Sequence, residues 1–193
     1  GAAAPCSCPE QQAALTDGSI ERNPMPFALR DGARIHWTAL GSGDPVVLVM
    51  GLGCSSAMWF RIAPVLARTY RVILIDNRGS GQTRAPLRVV HRVSAMAEDI
   101  GAVLDAAGEQ SAHLVGFSMG GMIAQQFSVD HPARVRSLSL FGTHVGTPWA
   151  VQAPSRVRTL LFEKSQMAPE ESLRAMRPYT YAAQTPDRLF CLL

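Results

Sequence analysis

Residues 116–120 of the chain read Gly-Phe-Ser-Met-Gly and fit the pattern G-x-S-x-G, in which a serine stands between two glycines. A serine hydroxyl is a weak nucleophile unless a sharp turn holds it exposed beside a base. Glycines two residues before and two residues after Ser118 allow a strand and a helix to approach closely at such a turn. The N-terminus of that helix also places partial positive charge where an oxyanion would develop. The pattern therefore predicts that Ser118 lies at a strained turn with φ above zero and is a nucleophile for acyl transfer.

A second glycine-rich segment, Met50-Gly51-Leu52-Gly53-Cys54, directly follows the apolar run 46–49. A turn of this kind leaves backbone N–H groups free to face a ligand, and a tetrahedral intermediate needs two such donors. We predict that the backbone amides of Leu52 and Met119 are these donors and form an oxyanion hole. A phosphate-binding loop fits this segment less well, because it contains neither G-x-G-x-x-G nor Gly-Lys-Ser/Thr.

Alternating strand-like and helix-like segments are predicted to position these two loops. Apolar runs rich in β-branched residues predict strands buried on both faces, and apolar residues at helical spacing predict helices between them. The strands are predicted at residues 46–49, 71–76, 113–117 and 135–141, and the helices at residues 59–67, 93–104 and 120–129. Helical crossovers of this kind imply an α/β fold with a mostly parallel sheet and helices on both faces. Ser118 then lies where the third of these strands meets its following helix.

The chain is predicted to contain three regions. Residues 1–23 show no apolar periodicity and are interpreted as a loose N-terminal leader. Residues 24–147 contain the predicted sheet, preceded by an alternating segment, 27–38, with the turn signal Asp31-Gly32. After Pro148 the pattern changes to helical segments without a clear strand, so residues 148–193 are predicted to form a separate helical segment.

The composition argues against several classes of protein. The 193 residues are 47% hydrophobic and 17% charged, which fits a packed globular domain. The 18 Lys and Arg residues are scattered among 15 Asp and Glu residues, so no basic stripe for nucleic acid is present. The longest apolar run, 45–52, is too short for a bilayer span, which needs about 20 residues. The four cysteines form no CxxC pair, and free thiols fit a cytoplasmic protein. We expect no metal, cofactor, nucleic acid or membrane partner.

A base for Ser118 is not evident among the histidines. Three of the five histidines precede Ser118 in the chain. His131 stands at the far end of the following helix, about 18 Å away, and is expected to interact with the last carbonyls of that helix. His144 follows the strand 135–141 and is expected to be a pocket-wall or loop residue at the same sheet edge as Ser118. No acidic residue stands between Phe141 and Arg156.

These segments together resemble the α/β-hydrolase fold family, in its small esterase, enol-lactonase and cofactor-free haloperoxidase-like branch. The resemblance extends over residues 27–147 and is carried by Met50-Gly51-Leu52-Gly53, Asp76-Asn77-Arg78-Gly79-Ser80-Gly81, Ala97-Glu98-Asp99-Ile100, Gly116-Phe117-Ser118-Met119-Gly120-Gly121 and His131-Pro132. Many relatives have His where Met50 stands here, which leaves the backbone donor at Leu52 unchanged. In the family the loop 76–81 shapes the site from behind, so Asp76 and Arg78 are expected to make loop hydrogen bonds and a local ion pair.

The resemblance implies a cofactor-free serine hydrolase that acts on a small carboxylic ester, lactone or thioester. In this family the triad runs Ser, then Asp or Glu, then His, and no suitable pair follows Ser118 here. We therefore expect the chain to lack the C-terminal third of the fold, to contain the nucleophile half with the start of a cap, and to be a poor hydrolase alone. A segment beyond residue 193, or a second chain, would supply the Asp and the His.

Two other functions fit the same residues. A cofactor-free perhydrolase or haloperoxidase would use the same triad. A catalytically inactive ligand-binding or interaction protein fits the missing base, because removal of the base from a triad costs orders of magnitude in rate. Epoxide and haloalkane chemistry is disfavoured, because relatives with those activities carry Asp in place of the serine.

Overall fold

The computed structural model describes residues 20–21, 27–86, 91–146, 150, 153–163, 167 and 169–180. The chain divides into two compact units, Gly1–Trp149 and Ala150–Leu193. Most of the predicted leader, 1–23, lies outside the described residues, which include only 20–21 of it.

The first unit contains one seven-stranded sheet with the strand order β1-β3-β5-β4-β6-β7, and β2 pairs with β3 outside this path. The strands are β1 (Ile20–Glu21), β2 (Phe27–Arg30), β3 (Ala33–Leu40), β4 (Asp44–Val49), β5 (Tyr70–Ile75), β6 (Ala112–Phe117) and β7 (Val135–Phe141). Strands β5, β4, β6 and β7 are parallel, whereas β3 is antiparallel to β5 and to both β1 and β2. The predicted fold class is confirmed, because all four strands predicted from apolar runs lie side by side in one sheet.

The helices of the first unit follow β4, β5 and β6 in turn. They are α1 (Ala63–Leu66), α2 (Val93–Ala106) and α3 (Met119–Asp130), with short 3-10 helices at Ser56–Trp59 and Pro132–Arg134. The continuous helix predicted over residues 59–67 is wrong, since a 3-10 helix and a four-residue α-helix stand there instead. Pro64 lies in the first turn of α1. A proline has no N–H to donate and is accommodated at a helix start, so the segment breaks before it.

Alternate residues of β4 and β5 enter two separate clusters on opposite faces of the sheet. One face packs against α2 and α3, and the other against α1 and the 3-10 helix Ser56–Trp59. The first cluster includes Val47, Val49, Ile73 and Ile75, and the second includes Val46, Leu48, Val72 and Leu74. Since successive side chains of a strand point to opposite faces, these runs are apolar throughout because helices cover both sides.

The last strand of the sheet differs from the other parallel strands in its burial. Among the described residues β7 pairs only with β6, and its side chains are exposed apart from the half-buried Val135. Leu138 is 36% exposed and Leu140 is 39% exposed, whereas the central strand β4 is buried along Pro45–Val49. The prediction of a strand over residues 135–141 is confirmed, and its position is at the edge of the described sheet.

The described residues of the second unit form two helices, α4 (Ser155–Glu163) and α5 (Pro169–Thr180). Both lie within residues 148–193, where the sequence predicted helical structure. Among the residues that the structure describes, no helix is long and apolar enough to cross a membrane.

Candidate active site

Ser118 lies at a sharp turn between β6, which ends at Phe117, and α3, which begins at Met119. Its backbone has φ 53° and ψ −123°. Positive φ is uncommon for a residue with a side chain, and an unusual backbone conformation of this kind costs on the order of 1–3 kcal/mol. The predicted strained turn with positive φ at Ser118 is therefore confirmed, while its role as a nucleophile stays a prediction.

The two glycines of the pattern have no room for side chains. A Cβ on Gly116 would lie 2.5 Å from the Cα of Gly121, and a Cβ on Gly120 would lie 2.6 Å from the carbonyl carbon of Val49. Both neighbours are backbone atoms that cannot rotate away. The glycines thus allow β6, α3 and the end of β4 to meet at the serine, which is the packing that the spacing predicted.

The glycine-rich loop after β4 lies directly against Ser118. A Cβ on Gly51 would stand 3.1 Å from the Ser118 Cβ and 3.5 Å from its Oγ. The turn is closed by a hydrogen bond from the Cys54 amide to the Gly51 carbonyl, at 3.3 Å. Within the described part of the chain, the backbone amides of Leu52 and Met119 donate no hydrogen bond. The assignment of both amides as oxyanion donors stays a prediction.

Asn77 is a buried side chain of this site that the sequence analysis did not single out. Its Nδ2 donates a hydrogen bond of 2.7 Å to the carbonyl oxygen of Met50. That bond orients the peptide between Met50 and Gly51, which begins the loop of the predicted donor Leu52. A polar residue soon after a buried strand, at the sheet edge where Ser118 was expected, is the signal that could have identified Asn77.

Asp76 anchors the loop behind the site through hydrogen bonds to two backbone amides and a contact with a histidine. Its carboxylate lies 3.0 Å from His36 Nδ1 and accepts hydrogen bonds from the backbone amides of Ser56, at 2.7 Å, and Gln82, at 2.8 Å. The expected loop hydrogen bonds are confirmed. The ion pair of Arg78 is made with Asp99 of α2, whose carboxylate oxygens accept hydrogen bonds from its Nε and Nη2 at 2.7 and 2.8 Å.

Acid is expected to weaken the fold through Asp76. Burial raises the pKa of its carboxyl, but the hydrogen bonds from His36, Gln82 and Ser56 outweigh it and hold the pKa below its ordinary value of 3.8. The ionised carboxylate therefore stabilises the folded state above about pH 4, and this contribution is lost as pH falls through the lowered pKa. Chemical denaturation at a series of pH values should show a loss of stability in acid that is smaller in Asp76→Asn. An equal loss in both proteins would contradict this role, and Asp130→Asn controls for removal of an exposed carboxylate.

All five histidines lie among the described residues, and none is hydrogen-bonded to Ser118. Four of the rings have other partners: His36 with Asp76, His113 with Ser137, His131 with Glu98 and His144 with the amide of Gly146. The expectation that the His131 ring interacts with the helix carbonyls is wrong, because the ring lies 2.6 Å from the Glu98 carboxylate on α2. His144 is exposed in the loop after β7, as expected for a loop histidine.

Within the described residues, the Ser118 hydroxyl makes no hydrogen bond to another side chain. The same residues contain no group of three or more His, Cys, Asp or Glu side chains placed to hold a metal ion. The chemistry at this position is therefore that of a half-buried serine on a strained turn, next to two backbone amides that donate no hydrogen bond within the described residues.

Comparison with known proteins places this geometry in context. The family model described as "alpha/beta hydrolase fold" matches residues 44–186. The chain is 31% identical over 157 residues to "Putative carbamate hydrolase RutD" of Azorhizobium caulinodans, which covers 81% of this chain and 58% of that protein. It is 38% identical over 98 residues to "Pimeloyl-[acyl-carrier protein] methyl ester esterase" of Aeromonas hydrophila, covering 51% of this chain and 37% of that protein.

Solved structures show the same likeness. The esterase EaEST from Exiguobacterium antarcticum superposes with a TM-score of 0.71 at 28% sequence identity, covering 86% of this chain and 64% of that one. The chain spans 58% of the first curated relative and 37% of the methyl ester esterase, or about half of such relatives.

Proposed function

The chain belongs to the alpha/beta hydrolase fold family, and on that premise we propose that it is a serine hydrolase that cleaves a small carboxylic ester, lactone or thioester. The observation that carries the proposal is the positive φ of Ser118 at the junction of β6 and α3, with the loop at Gly51 packed against its side chain. The names of its relatives, a methyl ester esterase and a carbamate hydrolase, describe substrates attacked at an acyl carbon, which supports this substrate class.

Ser118 has the position that an acyl-transfer nucleophile needs. Its Oγ attacks the carbonyl carbon of the substrate, and the electron pair of the C=O bond moves onto the oxygen. The backbone amides of Leu52 and Met119 then donate hydrogen bonds to this oxyanion, and one such donor contributes roughly 3 kcal/mol to the transition state in a known hydrolase. Collapse of the intermediate expels the alcohol or thiol and leaves an ester on Ser118, which water hydrolyses.

Asn77 stabilises the loop that contains the proposed donor, the Leu52 amide. Its hydrogen bond to the Met50 carbonyl fixes the first peptide of the loop, so the Leu52 amide keeps one orientation while charge develops on the substrate. Donors fixed in advance stabilise an oxyanion better than mobile ones, because they need no reorganisation during the reaction. Asn77 is therefore a positioning residue in this mechanism and touches no reacting atom.

The proton of Ser118 requires a base, and we assign that base to a histidine paired with an acid. Our proposal places this pair beyond residue 193 or on a second chain. Without the pair the hydroxyl stays protonated near neutral pH, and the donors alone provide a residual acceleration on the order of 10³–10⁴-fold over water.

A second candidate is a catalytically inactive binding protein with the same fold. The observation that favours it is the Ser118 hydroxyl, which makes no hydrogen bond to a side chain in the described residues. A cofactor-free perhydrolase is a third candidate that shares the serine mechanism. It differs only in the nucleophile that releases the acyl group, which is hydrogen peroxide in place of water.

Treatment of the purified chain with p-nitrophenyl acetate, followed by acid quenching and peptide mass spectrometry, tests the proposal. We expect an acetyl group on Ser118 that is absent from Ser118→Ala. Ser128→Ala is the matched control, since Ser128 lies on α3, the helix that follows Ser118, and its hydroxyl donates to the Ala124 carbonyl. An acetyl group elsewhere but never on Ser118 would favour the inactive binding protein.

A further inference from the structure

Both main-chain polar atoms of Ser118 are held by hydrogen bonds. The Ser118 amide donates to the carbonyl of Phe141 at 2.9 Å. The Ser118 carbonyl accepts two hydrogen bonds, one from Thr143 Oγ1 at 2.6 Å and one from the Gly121 amide at 2.9 Å. Two of these three partners stand at the end of β7, so this strand end restrains the serine from a distance of more than 20 residues in the chain.

The restraint acts on a backbone that is otherwise unfavourable. Conformations such as φ 53° and ψ −123° persist only where surrounding contacts over-determine them. Release of the Ser118 carbonyl would allow its peptide to rotate toward ordinary dihedral angles. Ordinary dihedral angles require a change in φ as well, and since Cβ moves about the N–Cα bond when φ changes, this relaxation would turn the Ser118 hydroxyl away from the loop at Gly51.

A second observation points to the same contact. Gly121 lies one residue past the G-x-S-x-G pattern, and a Cβ there would lie 2.5 to 2.7 Å from three side-chain atoms of Thr143. The threonine thus fills the space that Gly121 leaves open on the first turn of α3. A glycine is therefore needed at position 121, because a side chain there would occupy the space of the Thr143 side chain.

We propose that Thr143 is a positioning residue for Ser118, whose hydroxyl holds the Ser118 carbonyl and thereby the strained conformation that directs the nucleophile. The proposal rests on the function assigned above to Ser118. The role of Thr143 depends on one hydroxyl group. Comparison of threonine, serine and valine at position 143 therefore separates the effect of the hydrogen bond from the effect of methyl packing.

Amide hydrogen exchange tests the contact without any need for catalysis. In Thr143→Val, which keeps the shape but loses the hydroxyl, exchange at Ser118 and Gly121 should be about 2- to 12-fold faster, the range for one lost hydrogen bond. The exchange rate at Leu114, in the buried middle of β6, should be unchanged. General destabilisation would instead make exchange at Leu114 faster as well. Thr143→Ser should match the unmodified chain. Thr143→Ala, which removes the hydroxyl without crowding Gly121, should repeat the valine result.

Acetylation of Ser118 by p-nitrophenyl acetate provides the functional measurement. The limiting rate should fall about 10-fold or more in Thr143→Val, because small misplacement of a reacting group is costly, while the half-saturating concentration stays the same. Thr143→Ser should restore the rate. Unchanged exchange at Ser118 and Gly121 in the valine and alanine variants would overturn the proposal, as would a serine variant that behaves like valine. If exchange changes as expected but the unmodified chain shows no acetyl on Ser118, the hydrolase function fails and the restraint by Thr143 stands.

Discussion

Replacement of Gly120 by alanine is expected to lower the free energy of unfolding by about 3 kcal/mol, the upper part of the range for overpacking. The new Cβ would lie 2.6 Å from the Val49 carbonyl carbon and 2.7 Å from the Met50 oxygen. These atoms are backbone at the end of the buried strand β4, so they cannot move without disturbing the sheet. Either α3 shifts away from β4 or the loop at Leu52 shifts away from Ser118, and acetylation of Ser118 should fall in both cases.

Gly101→Ala is the matched control for this prediction. Gly101 is also a helical glycine, but a Cβ there would meet Phe127 at 3.4 Å and Arg134 at 3.7 Å, which are ordinary contacts. Alanine is favoured over glycine inside a helix by up to about 1 kcal/mol, so this variant should be as stable as the unmodified chain or more so. Chemical denaturation of both variants measures the difference. Equal midpoints for Gly120→Ala and the unmodified chain would contradict the close packing at the serine.

Replacement of Asp99 by leucine is expected to destabilise the fold by about 3–5 kcal/mol, because it leaves a buried guanidinium without its carboxylate. Arg78 is 4% exposed, and its Nε and Nη2 bind the two carboxylate oxygens of Asp99 at 2.7 and 2.8 Å. These bonds raise the pKa of Arg78 although burial opposes them, so the group stays charged. Arg30 Nη1 lies 3.5 Å from the same carboxylate and would lose this contact, although it keeps Asp31 and the Ala95 carbonyl as partners.

Two further variants separate the effect of burial from the effect of losing an ion pair as such. Arg78→Met combined with Asp99→Leu removes both buried charges and should regain most of the lost stability. Asp44→Ala breaks the exposed pair with Arg136, which is also 2.7 Å long, and should cost less than about 1 kcal/mol. Chemical denaturation measures all three. If Asp99→Leu costs no more than Asp44→Ala, the Arg78–Asp99 pair does not fasten the loop that carries Asn77 to α2.

Local sequence rules predicted the features of the site that depend on neighbouring residues. A serine between glycines, after a predicted buried strand and before a helical pattern, indicates a tight strand–helix turn, so the positive φ at Ser118 could be predicted from residues 113–129. The same holds for the hairpin turn at Asp31-Gly32, where both residues have positive φ. Buried strands were equally clear, since continuous apolar runs require cover on both faces.

Contacts between distant segments were not predictable in this way. Asn77 reaches Met50 across 27 residues, Thr143 reaches Ser118 across 25, and the pairing of Asp76 with His36 spans 40. Each depends on which strands become neighbours and on their register, and neither leaves a periodic trace in the sequence. The Arg78–Asp99 pair shows the same limit. Asp76 and Asp99 are both acidic residues that could pair with Arg78, and only the folded structure shows that the partner is Asp99.

The central claim is that Ser118 is the nucleophile of an acyl hydrolase. It is tested most directly by the steady-state rate of p-nitrophenyl acetate hydrolysis by the chain, by Ser118→Ala and by His144→Ala. We expect slow hydrolysis, far below the common enzyme turnover of about 10 per second. This activity should disappear in Ser118→Ala and persist in His144→Ala. Hydrolysis that survives in Ser118→Ala at the rate of the unmodified chain would contradict the claim. Turnover near 10 per second that His144→Ala abolishes would make His144 the base and contradict its assignment to a segment outside this chain.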